Sequence, residues 1–340
     1  MAPAVTDSPE QVPVPLVRST DAPPKRLLVI VNPYATTVSD RLRNLVVYAL
    51  RGSYQVDAVD TERRLHATEL CREAARAGYD LVVAFGGDGT VNEAANGLAG
   101  SGVPLTCLPG GRVNVYCRAL GIPADVVDAT EHLLGLADDW HPRRVDLGRV
   151  NDRYFVINAG VGLDASVVEQ VDAHPRLKSR WGEYYYATVA TSTFLRRYLR
   201  RPPRMTVTFD ALGPGAAADA RLPHAVAGVT TIVQNGTPYT YFGRRPIELA
   251  PGATLDSGDL AGVVLKRTTP VEVPTVSWRI LSATAQVGAH RQVDAFAGIS
   301  RLTVASQDGR ALPIQVDGDY IGTADEAVFT VAAGALTVLA

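Results

Sequence analysis

Leu81-Val82-Val83-Ala84-Phe85-Gly86-Gly87-Asp88-Gly89-Thr90 is the stretch on which the fold reading turns. Five apolar residues with no polar interruption read as a strand buried on both faces. The glycines that follow end the strand, and residues 90–98 have helical character. Gly86, Gly87 and Gly89 allow backbone conformations that side chains resist, and they let main-chain N–H groups approach phosphate oxygens. A helix opening there adds the positive end of its dipole. Thr90 and Glu93 have the spacing of a capping box. Asp88 is the odd member, because a bare carboxylate beside phosphates is unfavourable unless a cation such as Mg2+ is shared between them. The bland alternative is a tight strand-to-helix turn with an aspartate cap. The complete run after a buried strand favours phosphate binding over that turn.

Working outward, the same alternation repeats. Leu27-Leu28-Val29-Ile30-Val31, ended by Asn32-Pro33, is another short buried strand. Residues 41–50 read as a helix, 54–59 as a strand and 65–77 as a helix with Leu65, Ala67, Leu70 and Ala74 inward. Residues 104–108 read as a further strand. Strands alternating with helices imply a parallel, doubly wound α/β layer. Ligands in such layers bind beyond the carboxyl ends of the strands, where the loop after Phe85 lies. From Arg143 onward period-two segments dominate, with Asn151-Asp152 reading as a hairpin turn. The expected organisation is therefore a disordered arm over 1–24, an α/β nucleotide-binding domain over 25–142, and an antiparallel β-sandwich domain over 143–330. The apolar residues 331–340 are expected to return to the first domain.

Composition narrows the function classes. The 340 residues are 46% hydrophobic and 20% charged, with a formal net charge of -2. A balance so close to neutral argues against a nucleic-acid footprint. Cys71, Cys107 and Cys117 lack metal-like spacing and read as buried, reduced thiols of a cytoplasmic protein. No apolar run has membrane-spanning length, and the first residues lack a signal-peptide pattern.

A second glycine loop, Pro109-Gly110-Gly111-Arg112-Val113-Asn114, again follows a strand and precedes a helix. Two such loops on consecutive units converge on one sheet edge. Arg112 is read evenly as a phosphate partner or a solvated side chain. Near the C-terminus, Val316-Asp317-Gly318-Asp319-Tyr320 reads as a hairpin turn. A hydroxyl acceptor in a kinase also needs a carboxylate to take its proton. On an extended segment Asp317 and Asp319 would point the same way.

The ordered series Asn32-Pro33, Gly86 to Glu93 with Asn96-Gly97-Leu98, Pro109-Gly110-Gly111, Asn158 to Ala165, and Val316 to Asp319 resembles the bacterial diacylglycerol kinase-like lipid kinases, themselves similar to sphingosine kinases. The resemblance implies ATP and Mg2+ as cofactors and an active site between the two domains. It implies nucleotide contacts from Asn32, Thr61, Gly86, Gly87, Asp88, Gly89, Thr90, Asn92, Glu93, Gly110, Gly111, Arg112 and Asn114, with Asp88 as the metal residue. It also places Asp319, supported by Asp317, at the position of the family's proposed catalytic acid, where a glutamate is usual. Arg112 and Val115 depart from the family pattern, and Ser257 stands where a structural-magnesium ligand is expected, with Asp256 and Asp259 as candidate substitutes.

The expected partners are ATP, a lipid alcohol and a membrane surface; the expected location is cytoplasmic with peripheral membrane association, and a homodimer is left open. Tyr184-Tyr185-Tyr186, Phe194, Arg196-Arg197, Arg200-Arg201 and Arg204, preceded by Leu177 and Trp181, mix aromatic and basic residues as a headgroup-binding helix would. A helix packed on the sandwich, with its arginines in solvent, is the favoured reading of that stretch. His66 reads as a packing residue at a helix start. An NAD kinase with Asp88 as its base, or a non-catalytic binding module, are the competing readings.

Overall fold

The computed structural model describes residues 23–174, 185–186, 188–199, 202–216, 222–250, 252–282 and 285–340. Most of the arm expected over 1–24 lies outside the described residues.

Four strands build the parallel layer: β1 (Arg26–Val31), β2 (Gln55–Asp60), β3 (Leu81–Gly86) and β4 (Leu105–Pro109). They lie in the order β4-β3-β1-β2. Every residue of β3 and β4 is buried, because helices cover both faces of the layer. Those helices are α1 (Asp40–Leu50), α2 (His66–Ala77), α3 (Asp88–Leu98), the single turn α4 (Val115–Ala119), and α5 (Val126–Gly135). The helix expected from residue 65 begins one position later. Leu65 is its N-cap, at φ 64°, and its side chain is exposed rather than inward. Ala67, Thr68, Cys71 and Ala74 take the inner face instead.

The antiparallel half begins with β5 (Arg143–Val150) and β6 (Arg153–Phe155), a hairpin turned through Asn151 at φ 51°. β7 (Asn158–Gly162) leads into α6 (Leu163–Asp172). Then come β8 (Met205–Leu212), β9 (Val226–Gly228), β10 (Thr230–Gln234), β11 (Thr240–Phe242), β12 (Arg245–Ile247) and β13 (Leu260–Leu265). The chain closes with β14 (Val293–Ser306), β15 (Leu312–Val316), β16 (Asp319–Ala324) and β17 (Glu326–Val338). One face of this half encloses a single core that includes Phe155, Met205, Phe209, Val233, Phe296 and Phe329.

The two halves share one hydrogen-bonded sheet. β17 runs antiparallel to β5 and β14, and at its end pairs in parallel with β4, Val338 opposite Leu105. Its register shifts between Ala332 and Leu336, around Gly334 at φ 57°. That bulge lets one strand serve two cores, with Phe329 in the antiparallel core and Leu336 and Val338 in the α/β core. The buried carboxylate of Asp146 holds the bulge, accepting from the Gly334 N–H at 2.7 Å and from the Gly258 N–H at 2.6 Å.

Candidate active site

The two glycine loops are packed backbone against backbone. Gly110 N–H donates to the Gly86 carbonyl at 2.8 Å. A Cβ added at Gly110 would stand 2.9 Å from the Gly86 Cα, and one at Gly111 would stand 2.7 Å from the Gly87 Cα. The glycines are therefore required by close approach of main chains. Asn114, at φ 52°, closes the second loop: its Oδ1 accepts from Gly111 N–H at 2.9 Å and its Nδ2 donates to the Gly111 carbonyl at 2.8 Å. Asn32 ties in the β1 loop, donating to Thr90 Oγ1 at 3.0 Å and accepting from Tyr34 N–H at 3.0 Å.

Several residues expected at the nucleotide also make contacts within the protein. α3 starts at Asp88, so Thr90 and Glu93 lie within the helix and form no capping box. The Glu93 carboxylate instead accepts from Leu65 N–H at 2.8 Å and Ala67 N–H at 3.2 Å, satisfying the orphan donors at the start of α2. Asn92 is fully buried and donates to Asp317 Oδ2 at 2.7 Å and to the Tyr154 carbonyl at 3.0 Å. It also accepts from Arg153 at 2.7 Å, so its polar atoms are spent on joining α3 to the antiparallel half. Thr61 is buried at the end of β2, its N–H on the Val31 carbonyl, and does not line the cleft. His66 begins α2 and accepts the Glu62 N–H at 3.1 Å, as a packing and capping residue.

The three candidate carboxylates differ sharply. Asp317 and Gly318, at φ 46° and 82°, form the two-residue turn between β15 and β16, with Val316 paired to Asp319. The segment is therefore not extended, and the two aspartates do not act side by side. Asp317 turns inward and accepts from the N–H groups of Val156, Ile157 and Asn158 at 2.7, 2.9 and 3.0 Å, besides Asn92. Burial pushes its carboxyl up against the pull of those donors. It is an anchor, without a free oxygen face for a substrate proton. Asp319 turns the other way: a Cβ at Gly89 would stand 2.9 Å from its Oδ2. Asp88 sits between, with Oδ1 accepting the Tyr116 N–H at 3.2 Å. Burial raises its carboxyl to about 6, the Tyr116 N–H opposes this, and the negative charge of Asp317 adds to it.

Gly87, Asp88, Gly89, Thr90, Gly111 and Arg112 share a cleft of about 760 Å³ with Asp317 and Asp319. The lining also has an apolar and aromatic wall that includes Val167, Val168, Ile247, Ile280, Tyr241 and Phe242. At its floor lies a polar network that sequence reading did not single out. Tyr239 donates to Asp164 Oδ1 and Gln315 to Asp164 Oδ2, both at 2.7 Å, and Asn158 donates to the Tyr239 carbonyl at 3.0 Å. Burial raises the Asp164 carboxyl. Only the Gly-Val-Gly-Leu-Asp run hinted at Asp164, and Tyr239 and Gln315 gave no signal because they come from strands distant in sequence.

Leu177, Trp181, Tyr184, Arg200 and Arg201 lie outside the described residues. Phe194 and Tyr198 are buried, and Arg197 pairs with Glu169 at 2.8 Å. At the expected structural-magnesium position, Ser257 donates to the Thr254 carbonyl at 3.1 Å and Asp259 is buried under Gly213 and Gly215. Among the described residues no three His, Cys, Asp or Glu side chains cluster as a metal cage. The three cysteines are buried free thiols.

Residues 26–150, the parallel layer with both glycine loops and β5, match the family model of the diacylglycerol kinase catalytic domain. The chain carries a diacylglycerol kinase catalytic domain. The domain makes it a kinase, an enzyme that moves phosphate onto an alcohol, and the relatives it resembles are bacterial diacylglycerol kinases. The kinase is 29% identical over 237 residues to a diacylglycerol kinase of Staphylococcus haemolyticus, spanning 68% of this chain and 64% of that relative's length. It is 27% identical over 307 residues to one of Staphylococcus epidermidis, spanning 88% and 87% of the two chains. Its fold matches a crystal structure of a diacylglycerol kinase from Bacillus anthracis str. Sterne at TM-score 0.65 and 20% identity, over 92% of this chain and 96% of that one. A second chain from the same organism superimposes at TM-score 0.70 with 22% identity, over 95% and 97%. No helix among the described residues is long and apolar enough to cross a membrane.

Proposed function

We propose that the chain transfers the γ-phosphate of ATP to the hydroxyl of a lipid alcohol of the diacylglycerol or sphingoid type. The observation that carries this reading is the position of Asp319. Its carboxylate lies against Gly89, and it shares one cleft with a set of apolar and aromatic wall side chains. A phosphate donor on the loops and an apolar acceptor against that wall would meet at Asp319.

The first glycine loop supplies main-chain N–H groups and the N-terminus of α3 for the phosphates. Asn32 and Asn114 keep the loops in register. The acceptor oxygen attacks the γ-phosphorus as the bond to the β-phosphate oxygen breaks, and its proton passes to the Asp319 carboxylate. Asp317 positions that carboxylate through the turn it anchors.

Asp88 and Asp317 leave concentrated negative charge beside the loops, which fits a divalent cation. Mg2+ takes most of its ligands from phosphate and water, so a single protein carboxylate such as Asp88 is enough to hold it against a bound nucleotide. When bound, Mg2+ would neutralise charge on the phosphates, with Asp88 as its protein ligand.

The test is transfer of labelled phosphate from ATP to a panel of dispersed lipids, with NAD as a soluble control acceptor. Label on a lipid alcohol and none on NAD is the expected result. Label on NAD alone, or ATP bound without transfer to any acceptor, overturns the reading.

A further inference from the structure

The cleft opens beside a surface that the mechanism does not use. The helix Glu272–Leu281 packs inward through Val276, which shares a small core with Ile247 of β12, and with Tyr239 and Ile280 at its margin. Helix and β11–β12 hairpin therefore form one wall. Ile280 and Phe242 line the cleft from that wall. The other side of the wall is apolar where a surface helix would ordinarily be polar. Val271 is 69% exposed, Trp278 63% and Phe242, at the hairpin tip, 53%. Val271 and Trp278 are seven positions apart, two helical turns, and so share a face. Arg244, two positions from Phe242 in the hairpin, and Arg267, four positions before Val271, are exposed, as is Glu248 of opposite sign. Glu272 carries no free charge into this face, being buried and paired with Arg291.

We propose that this face, with Val271, Trp278 and Phe242 as apolar anchors and Arg244 and Arg267 as the basic rim, seats the kinase on an anionic bilayer. Two features select a bilayer as occupant. Phe242 belongs both to the exposed face and to the lining of the cleft, and aromatic anchors with nearby arginines match the headgroup boundary, where rings sit at the interface and guanidinium groups meet lipid phosphates. The inference rests on the lipid-kinase reading for its purpose, but its physical content is independent of catalysis.

The test is co-sedimentation of the whole chain with phosphatidylcholine vesicles with and without about a quarter phosphatidylglycerol. Wild-type protein should sediment with the anionic vesicles. Trp278→Ala combined with Val271→Asp should lower that partition by about tenfold or more, since it removes buried apolar area and adds a repelled charge. Arg244→Glu should weaken binding to the anionic vesicles only. Neither Trp278 nor Val271 lines the cleft, so transfer to detergent-dispersed lipid and the melting temperature should stay at wild-type values in the double variant. Vesicle binding unchanged in that variant, or no binding by wild-type protein, overturns the proposal even where dispersed lipid is phosphorylated. Trp278-dependent vesicle binding without transfer to any lipid upholds the surface and removes the functional reading instead.

Discussion

The carboxylate of Asp319 lies against Gly89, close enough that a Cβ on that glycine would stand 2.9 Å from Oδ2. One residue belongs to the β15–β16 hairpin and the other to α3, so this contact brings the glycine loop and the antiparallel half together at the proposed point of proton transfer. Gly89→Ala would displace the far end of a flexible side chain rather than backbone. The variant should keep its melting temperature within a few degrees and lose about tenfold or more in kcat, as a misplaced reacting group does. Thermal melting and steady-state transfer on one preparation separate the two effects.

Asp317 should behave as a structural residue. Its carboxylate meets three consecutive main-chain N–H groups and Asn92. Asp317→Ala would leave those donors without their acceptor and should cost about 2–4 kcal/mol of stability. Urea unfolding measures this, and ATP binding should fall along with transfer because the cleft loses its anchor.

The raised carboxyl of Asp88 gives a pH signature of definite sign. Its folded value is about 6, against 3.8 ordinarily, so between those values the folded chain binds more protons than the unfolded chain. Stability from this group is therefore present in acid and is lost as pH rises from about 4 to about 6, after which it stays lost. Asp88→Asn should stabilise the protein by about 1–2 kcal/mol at pH 8 and by almost nothing near pH 4, while abolishing transfer. In the wild type, Mg2+ with ATP should restore stability at pH 8, and transfer should fall as pH drops below about 6. Melting curves at the two pH values, with and without nucleotide and metal, check both signs.

Asn114 holds Gly111 by two hydrogen bonds at φ 52°. Asn114→Ala loses both bonds, at about 1 kcal/mol each, and strains the backbone. The expected result is a KM for ATP raised about tenfold with kcat nearly unchanged, and a milder effect for Asn114→Gly, which tolerates the backbone angle. Initial rates against ATP concentration check it.

The parallel layer and both glycine loops were legible because their signals are local: unbroken apolar runs such as Leu81 to Phe85, each followed at once by glycines. The Asn151-Asp152 turn was legible for the same reason. What could not be read was direction. Asp317 and Asp319 look alike two positions apart, and only the left-handed angles at Asp317 and Gly318 send one inward and the other to the cleft. Glu93 and Asn92 look like parts of a phosphate motif, yet their partners, Leu65, Ala67, Asp317 and Arg153, are set by how α2 and the antiparallel half dock on α3. The Asp164–Tyr239–Gln315 network joins three segments more than 70 positions apart, beyond any local pattern. The continuity of the sheet hangs on the Gly334 bulge, which the apolar C-terminal run masks.

The central claim, that Asp319 receives the acceptor's proton, is tested most directly by Asp319→Asn. Phosphate transfer from labelled ATP to dispersed lipid and ATP affinity should be measured on the same variant. Transfer should fall by about a hundredfold or more, with the ATP dissociation constant within about threefold of wild type. Transfer at the wild-type rate in Asp319→Asn would contradict it.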